Sequence, residues 1–127
     1  MTKRIFSLAT CLGLALASSA AIADGDAGKG KKVFNRCKTC HVIDAETNRV
    51  GPHLVGIIGR AAGAVDGFGY SEAMLNSGIT WDETTIAAYL ADPAGYLEGN
   101  AMKFVGLKKQ DQIADVIAYL KVAAGGS

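Results

Sequence analysis

The stretch Cys37-Lys38-Thr39-Cys40-His41 decides the fold of this chain. Two cysteines separated by two residues and followed at once by histidine are the attachment signature of c-type haem. Each thiol adds across one vinyl group of the porphyrin, and one backbone turn sets the two sulfurs at the required separation. We therefore predict that Cys37 and Cys40 hold one haem c covalently and that His41 binds its iron from the proximal side.

Two other interpretations of the cysteine pair are weaker. A thioredoxin-like redox pair needs a βαβ pattern around it, and the sequence contains none. A structural zinc site needs four ligands. The remaining cysteine, Cys11, lies in an apolar N-terminal run, and the remaining histidine, His53, cannot complete a tetrahedral set alone.

The N-terminal segment has the pattern of a secretory signal peptide. Lys3 and Arg4 precede an apolar run, Ile5 to Ala17, and Ala21-Ile22-Ala23 fits the small-x-small cleavage pattern. A retained membrane anchor would need about 20 apolar residues, so the run is too short. We expect residues 1–23 to be removed, leaving residues 24–127 as one domain, exported to the periplasm with no stable membrane insertion.

Charge and size restrict the function further. Of 13 basic residues, 11 remain after loss of the leader against 12 acidic ones, which gives no electrostatic case for nucleic acid. The domain is also small, with few large aromatic side chains, so its own core is marginal. A planar apolar cofactor would complete the core, and we predict that the haem-free chain is poorly folded.

Helical patterns account for every regular segment, so the predicted fold class is all-α. Asp26 can cap a helix that runs through Phe34 into the haem motif, and Gly30 within it suggests a close contact. Residues 42–69 are glycine-rich and predict a long loop around the haem. A short helix is expected over 71–76 and another from Asp82 to Asp92-Pro93, where Pro93 can start a further turn. The last helix carries an apolar stripe formed by Ile113, Val116, Ile117 and Leu120.

The second axial position of the iron decides between electron transfer and reaction with a ligand. The candidates are Met74, Met102, His53 and the lysines. Met102 lies in an irregular loop that can point a side chain at the ring, and a thioether favours reduced iron. Met74 is expected to pack on a short helix, and His53 shares a loop with the proximal side. We favour Met102.

From Asp26 to Ala124 the chain resembles class I c-type cytochromes, and it is similar to small soluble bacterial cytochromes c2 and the mitochondrial carrier. The matching residues occur in the family's order: Gly30, Phe34, Cys37–His41, Gly51-Pro52-His53-Leu54, Gly59-Arg60, Gly67-Phe68-Gly69-Tyr70, Gly78-Ile79-Thr80-Trp81, Tyr89-Leu90, Pro93, Tyr96, Gly99–Lys109 and Ile117-Ala118-Tyr119-Leu120. The resemblance implies a small cytochrome c fold in which the N- and C-terminal helices cross and helices and long loops wrap one haem.

The resemblance also implies roles for individual residues. Met102 would be the distal iron ligand, with Tyr89 reaching its sulfur, and the Pro52 carbonyl would accept a hydrogen bond from His41. A group of polar residues would satisfy the buried propionate: Arg60, Tyr70, Trp81 and, in a supporting role, Asn100. Simpler roles stay open, with Tyr70 and Trp81 as core aromatics and Arg60 as a surface cation. Gly30 would let the first helix meet Val116 and Tyr119 of the last.

The function implied is a diffusible one-electron carrier and not an enzyme. It would be a monomer that shuttles electrons from a quinol-cytochrome c reductase-type donor to an oxidase, a reductase or a photosynthetic acceptor. The alternative is a peroxidase-like enzyme or gas sensor with an open distal site, and a fixed subunit of a larger complex is a third possibility. Only Arg36, Lys38, Lys103, Lys108 and Lys109 are placed to flank the haem edge, fewer than is common in the family, so we predict a moderate salt dependence of association.

Overall fold

The structure is a computed structural model that describes Gly13 and residues 24–125. Apart from Gly13, the predicted leader, including Cys11 and the Ala21-Ile22-Ala23 cleavage pattern, lies outside the described residues. Five helices follow in order: α1 (Ala27–Phe34), α2 (Glu72–Leu75), α3 (Glu83–Ala91), α4 (Pro93–Tyr96) and α5 (Gln110–Ala123). The all-α prediction is confirmed, and no helix in the described part is long and apolar enough to cross a membrane.

Side-chain caps fix where α1, α3 and α4 begin. The Asp26 carboxylate accepts the N–H of Lys29 at 2.9 Å at the start of α1. Asp82 and Thr85 form a reciprocal capping box at the start of α3. Asp92 caps α4, and Pro93 occupies its first turn, where the missing N–H leaves no hydrogen bond unmade. These boundaries agree with the sequence prediction.

The crossing of α1 and α5 is built around Gly30. A Cβ at this position would overlap the carbonyl oxygen of Asp115 and lie 2.9 Å from the Cβ of Tyr119. Glycine therefore lets the two helix backbones touch. The Asp26 N–H donates to the Asp115 carboxylate at 2.8 Å, and the rings of Phe34 and Tyr119 are 5.3 Å apart. The predicted crossing of the terminal helices is confirmed.

The chain between α1 and α3 is mostly irregular, but two short segments within it are paired. The Trp81 N–H donates to the Arg60 carbonyl at 2.8 Å, the Ala62 N–H donates to the Ile79 carbonyl at 2.8 Å, and an isolated antiparallel bridge joins Ala61 to Thr80. The sequence predicts only loop here, because neither segment is long enough to show an alternating pattern. The pairing brings Arg60 and Trp81 to the same wall of the molecule.

Candidate functional site

An apolar cavity of about 260 Å³ lies between the irregular central segment and the helices α1, α3 and α5. Buried core side chains, among them Phe34, Trp81 and Val116, form part of its wall. Nine of the ten predicted site residues line it: Cys37, Cys40, His41, Pro52, Arg60, Tyr70, Trp81, Tyr89 and Met102. The tenth, Asn100, lies behind the wall.

The attachment motif follows directly from the end of α1. The helix stops at Phe34, and the motif itself is a series of turns rather than a continuation of the helix. The Cys37 N–H donates to the Phe34 carbonyl at 2.8 Å, and the N–H groups of Cys40 and His41 both donate to the Cys37 carbonyl at 3.0 Å. Burial raises the pKa of the Cys37 thiol to about 11. A thioether link, which carries no charge, suits such an apolar position.

The His41 ring is oriented by a hydrogen bond at one nitrogen, which leaves its other nitrogen available to bind a metal ion. Its Nδ1 lies 2.7 Å from the Pro52 carbonyl oxygen, which has no proton to give, so Nδ1 donates and Nε2 keeps its lone pair. Burial lowers the pKa of His41, the Pro52 hydrogen bond opposes that change, and the Arg60 charge adds to it. The neutral imidazole is the form that binds a metal ion.

Gly51 adds a steric constraint on the His41 ring that the sequence does not reveal. A Cβ there would overlap Cε1 of His41 and lie 2.7 Å from its Nδ1. The Gly51 N–H donates to the Cys40 carbonyl at 2.9 Å, so its backbone cannot move away freely. The sequence shows a glycine directly before Pro52, but only the structure shows that a larger residue there would overlap the His41 ring.

Arg60 provides the test of whether the cavity suits a haem. Its Nη1 donates to the carbonyls of His53 and Val55 at 3.0 and 3.1 Å, while its Nε is buried without a hydrogen-bond partner. A buried N–H without an acceptor is unfavourable, and a carboxylate in the cavity would satisfy it. The residues present therefore fit a group that is apolar over most of its surface and acidic at one edge, as a haem with its propionates is.

Two aromatic residues complete this end of the cavity. The Tyr70 hydroxyl accepts the Val65 N–H at 3.1 Å and keeps its own proton to donate, and its ring packs edge-on against Phe68 at 4.9 Å. Trp81 is 7% exposed and packs against Tyr89 at 5.0 Å between ring centres. Trp81 is thus a core aromatic, whereas Tyr70 is half-buried and has a free hydroxyl proton beside the cavity.

The distal side differs in detail from what the resemblance implied. The Tyr89 hydroxyl, expected to reach the Met102 sulfur, donates instead to the Asn100 side-chain oxygen at 3.2 Å. Burial raises the pKa of Tyr89 to about 12, so the hydroxyl stays protonated and remains a donor. Asn100, expected to help near the propionate, does not line the cavity. Its side chain binds the Pro93 carbonyl of α4 and, within the distal loop (residues 97–107), the Leu97 carbonyl and the Met102 N–H.

The other candidate ligands lie in different places. Met74, a candidate ligand that the sequence assigned to packing on a short helix, lines the same cavity as Met102. His53 does not line the cavity. Its ring Nδ1 accepts the Val55 N–H at 3.2 Å, and its backbone N–H donates to the side-chain oxygen of Asn48. With Nδ1 used as an acceptor, the neutral ring carries its proton on Nε2, so neither nitrogen is free to bind iron.

A helical fold closed around an apolar cavity, with two cysteines and one histidine on its wall, defines a protein that holds a single covalent haem. The cytochrome c family model matches residues 27–123. The chain is 42% identical over 122 residues to cytochrome c2 of Blastochloris viridis, covering 95% of this chain and 93% of that one. It is 47% identical over 104 residues to cytochrome c 2.1 of Caenorhabditis elegans, covering 81% of this chain and 94% of that one.

Structural comparison gives the same result. Cytochrome cH from Methylobacterium extorquens superposes with a TM-score of 0.73 at 44% identity, covering 76% of this chain and 98% of that structure. The chain belongs to the cytochrome c family, and its cofactor is one haem c bound covalently through Cys37 and Cys40. Its function is that of an electron carrier.

Proposed function

We propose that this protein is a diffusible single-electron carrier whose haem iron is bound by His41 and Met102. The observation that carries the proposal is that both side chains line one cavity and that His41 is already oriented by Pro52. When bound, the haem supplies the one-electron change of its iron. The chain holds both axial ligands, excludes water with an apolar wall and places Arg60 beside the acidic edge.

Met102 is a better distal ligand than Met74 because of the backbone that carries it. Met102 lies in an irregular loop, where the main chain can adjust to bring sulfur to iron. Met74 lies in α2, where its N–H donates to the Ser71 hydroxyl at 3.1 Å and its carbonyl accepts the Ser77 hydroxyl at 2.9 Å. These bonds fix the Met74 backbone and favour a packing role for its side chain.

The test uses the two methionines as a matched pair. In the oxidised protein, sulfur bound to iron gives a weak far-red absorption band, and in the reduced protein it blocks carbon monoxide. Met102→Ala is expected to lose the band and bind carbon monoxide rapidly at neutral pH. Met74→Ala removes the same side chain from the same cavity and is expected to keep the band and the block.

Other outcomes have distinct meanings. If Met74→Ala loses the band and Met102→Ala keeps it, the ligand assignment is wrong although the carrier function survives. If the wild-type protein already binds carbon monoxide rapidly, the distal site is open and the peroxidase-like or gas-sensing alternative replaces the carrier. With the distal position filled, we propose that the protein has no enzymatic activity of its own.

The compartment is proposed from the predicted leader, and the partners from the resemblance to the family. The predicted leader supports export to the periplasm, where the thiols meet haem, and the mass of protein from a periplasmic fraction should correspond to a chain that begins at Asp24. The partners proposed are a quinol-cytochrome c reductase-type donor and an oxidase, reductase or photosynthetic acceptor. Size-exclusion chromatography of that fraction should show a monomer, and co-elution with a large complex would indicate a fixed subunit.

A further inference from the structure

The side chain of Asn100 makes every hydrogen bond that an amide group of its shape can readily make. Its oxygen accepts the Met102 N–H at 2.9 Å and the Tyr89 hydroxyl at 3.2 Å. Its nitrogen donates to the carbonyls of Pro93 and Leu97, both at 2.9 Å. One side chain thus joins the distal loop to α3, to the start of α4 and to the turn that follows α4.

Chemistry fixes the orientation of this amide. The Met102 N–H can only donate, and the carbonyls of Pro93 and Leu97 can only accept. The oxygen of Asn100 must therefore face Met102 and its NH₂ group must face the two carbonyls. No other residue type supplies two acceptor positions on one atom and two donors on a neighbouring atom at this length, since aspartate lacks the donors and threonine has a single hydroxyl.

Because of its position in the distal loop, the Asn100 side chain can control where Met102 lies. The far end of the loop is held by backbone contact, because the Leu107 N–H donates to the Leu90 carbonyl at 2.7 Å and Gly106 packs against Ala91. The near end is held through the Asn100 side chain, two residues before Met102. The backbone N–H of Asn100 also donates to Leu97 at 3.1 Å, so removing the side chain loosens the loop without removing its turn.

We propose that Asn100 is the positioning residue that keeps Met102 at the iron and so sets how often the distal site opens. It does not line the cavity and acts through the Met102 backbone. The proposal builds on the assignment of Met102 as the distal ligand. It gives Asn100 a different role from the propionate contact that the family resemblance implied.

The experiment measures how fast carbon monoxide binds to the reduced holoprotein at saturating gas, where opening of the distal loop limits the rate. Asn100→Ala loses all four bonds and is expected to bind at least about tenfold faster, the factor that corresponds to about 1.4 kcal/mol. Asn100→Thr can still accept the Met102 N–H and should fall between that variant and wild type. Tyr89→Phe loses one of the four bonds and should raise the rate by less than Asn100→Ala does.

Asn76→Ala is the matched control. Asn76 is exposed and its side chain makes no hydrogen bond in the described part of the chain, so this variant should behave as wild type. Should Asn100→Ala fail to fold, Asn100→Thr still tests the proposal, because it should bind carbon monoxide faster than wild type. A purely structural role would lower the thermal unfolding temperature of the Asn100 variants while leaving the carbon monoxide rate and the far-red band at 25 °C unchanged.

The outcomes separate this proposal from the one it builds on. A wild-type protein without the far-red band would overturn the ligand assignment itself. A wild-type protein with the band, together with Asn100→Ala that opens no faster than wild type, would overturn the role of Asn100 alone. A rate for Tyr89→Phe that exceeds the rate for Asn100→Ala would place control of the loop in Tyr89 instead.

Discussion

The two walls of the haem cavity are built in opposite ways. The proximal segment, residues 37–54, is held mainly by backbone groups: Gly51 binds the Cys40 carbonyl and Leu54 binds the Val42 carbonyl, at 2.9 and 2.8 Å. The near end of the distal loop has backbone bonds within its turn, but the Met102 N–H is bound by one side chain, that of Asn100. Backbone bonds survive most substitutions, whereas a side-chain anchor is lost with one. Under the proposed ligation, His41 would therefore be the permanent ligand, and Met102 the ligand whose attachment a single substitution can weaken.

Haem removal should have the largest effect, because the two walls share the cofactor as their common core. Phe34, Trp81 and Val116 would face an empty apolar cavity in the haem-free chain. We expect far-ultraviolet circular dichroism of haem-free protein to show a loss of most of the helical signal. Near-native helicity without haem would mean that the packing of α1 on α5 suffices to fold the chain.

The second prediction tests the rigidity of the proximal wall. Gly51→Ala places a methyl group against the His41 ring, which Pro52 holds and which, under the proposed ligation, iron would hold as well, so neither side can yield. We expect a loss of about 1–3 kcal/mol in the free energy of unfolding by guanidinium. Gly28→Ala is the control, since in α1 the added Cβ meets only the Asp26 carboxylate, at 3.1 Å. Equal stability of the two variants would mean that the proximal segment can move enough to accommodate the added methyl group.

Much of the proximal side could be predicted because its signal is contiguous. Five adjacent residues specify the attachment, and the caps at Asp26 and Asp82 lie within three residues of the groups they bind. The distal side depends on contacts between residues far apart in the chain and on geometry that spacing does not reveal. The sequence placed Met102 in a loop, but it did not show that Tyr89 binds Asn100 or that Met74 shares the cavity.

The third prediction concerns the matching glycine of the distal side. Gly99 has a φ of +87°, which an L-residue adopts only with strain, and an added Cβ would lie 3.3 Å from the Cβ of Ala73. Gly99→Ala should lower stability by about 1–2 kcal/mol. In contrast to Gly51→Ala, it should weaken the far-red band of the oxidised protein, because the strain is relieved by loosening the loop that carries Met102. A variant that keeps the full band would show that the loop tolerates strain next to its anchor.

The smallest effect should come from ionic strength. The domain without its leader carries nearly balanced charge. One of the few cations near the distal loop is also occupied internally, since the Lys108 ammonium donates to the carbonyls of Ala91 and Val105 at 3.2 and 3.1 Å. A small number of free cations steers a partner only weakly. We expect the rate of association with the redox partners to fall by no more than about threefold across physiological ionic strength.

Lysine variants can show which cations attract the redox partner electrostatically. Lys103, on the exposed rim of the cavity, is free of internal hydrogen bonds in the described part of the chain, so Lys103→Met should slow association more than Lys108→Met, although both remove one charge. Lys108→Met should instead lower stability slightly, because two carbonyls lose a donor. A steep salt dependence, or a larger kinetic effect at Lys108, would mean that the ammonium leaves its carbonyls to meet the partner. The distal loop would then be loosened by docking itself, and the contrast between a permanent proximal wall and a tunable distal one would extend to partner binding.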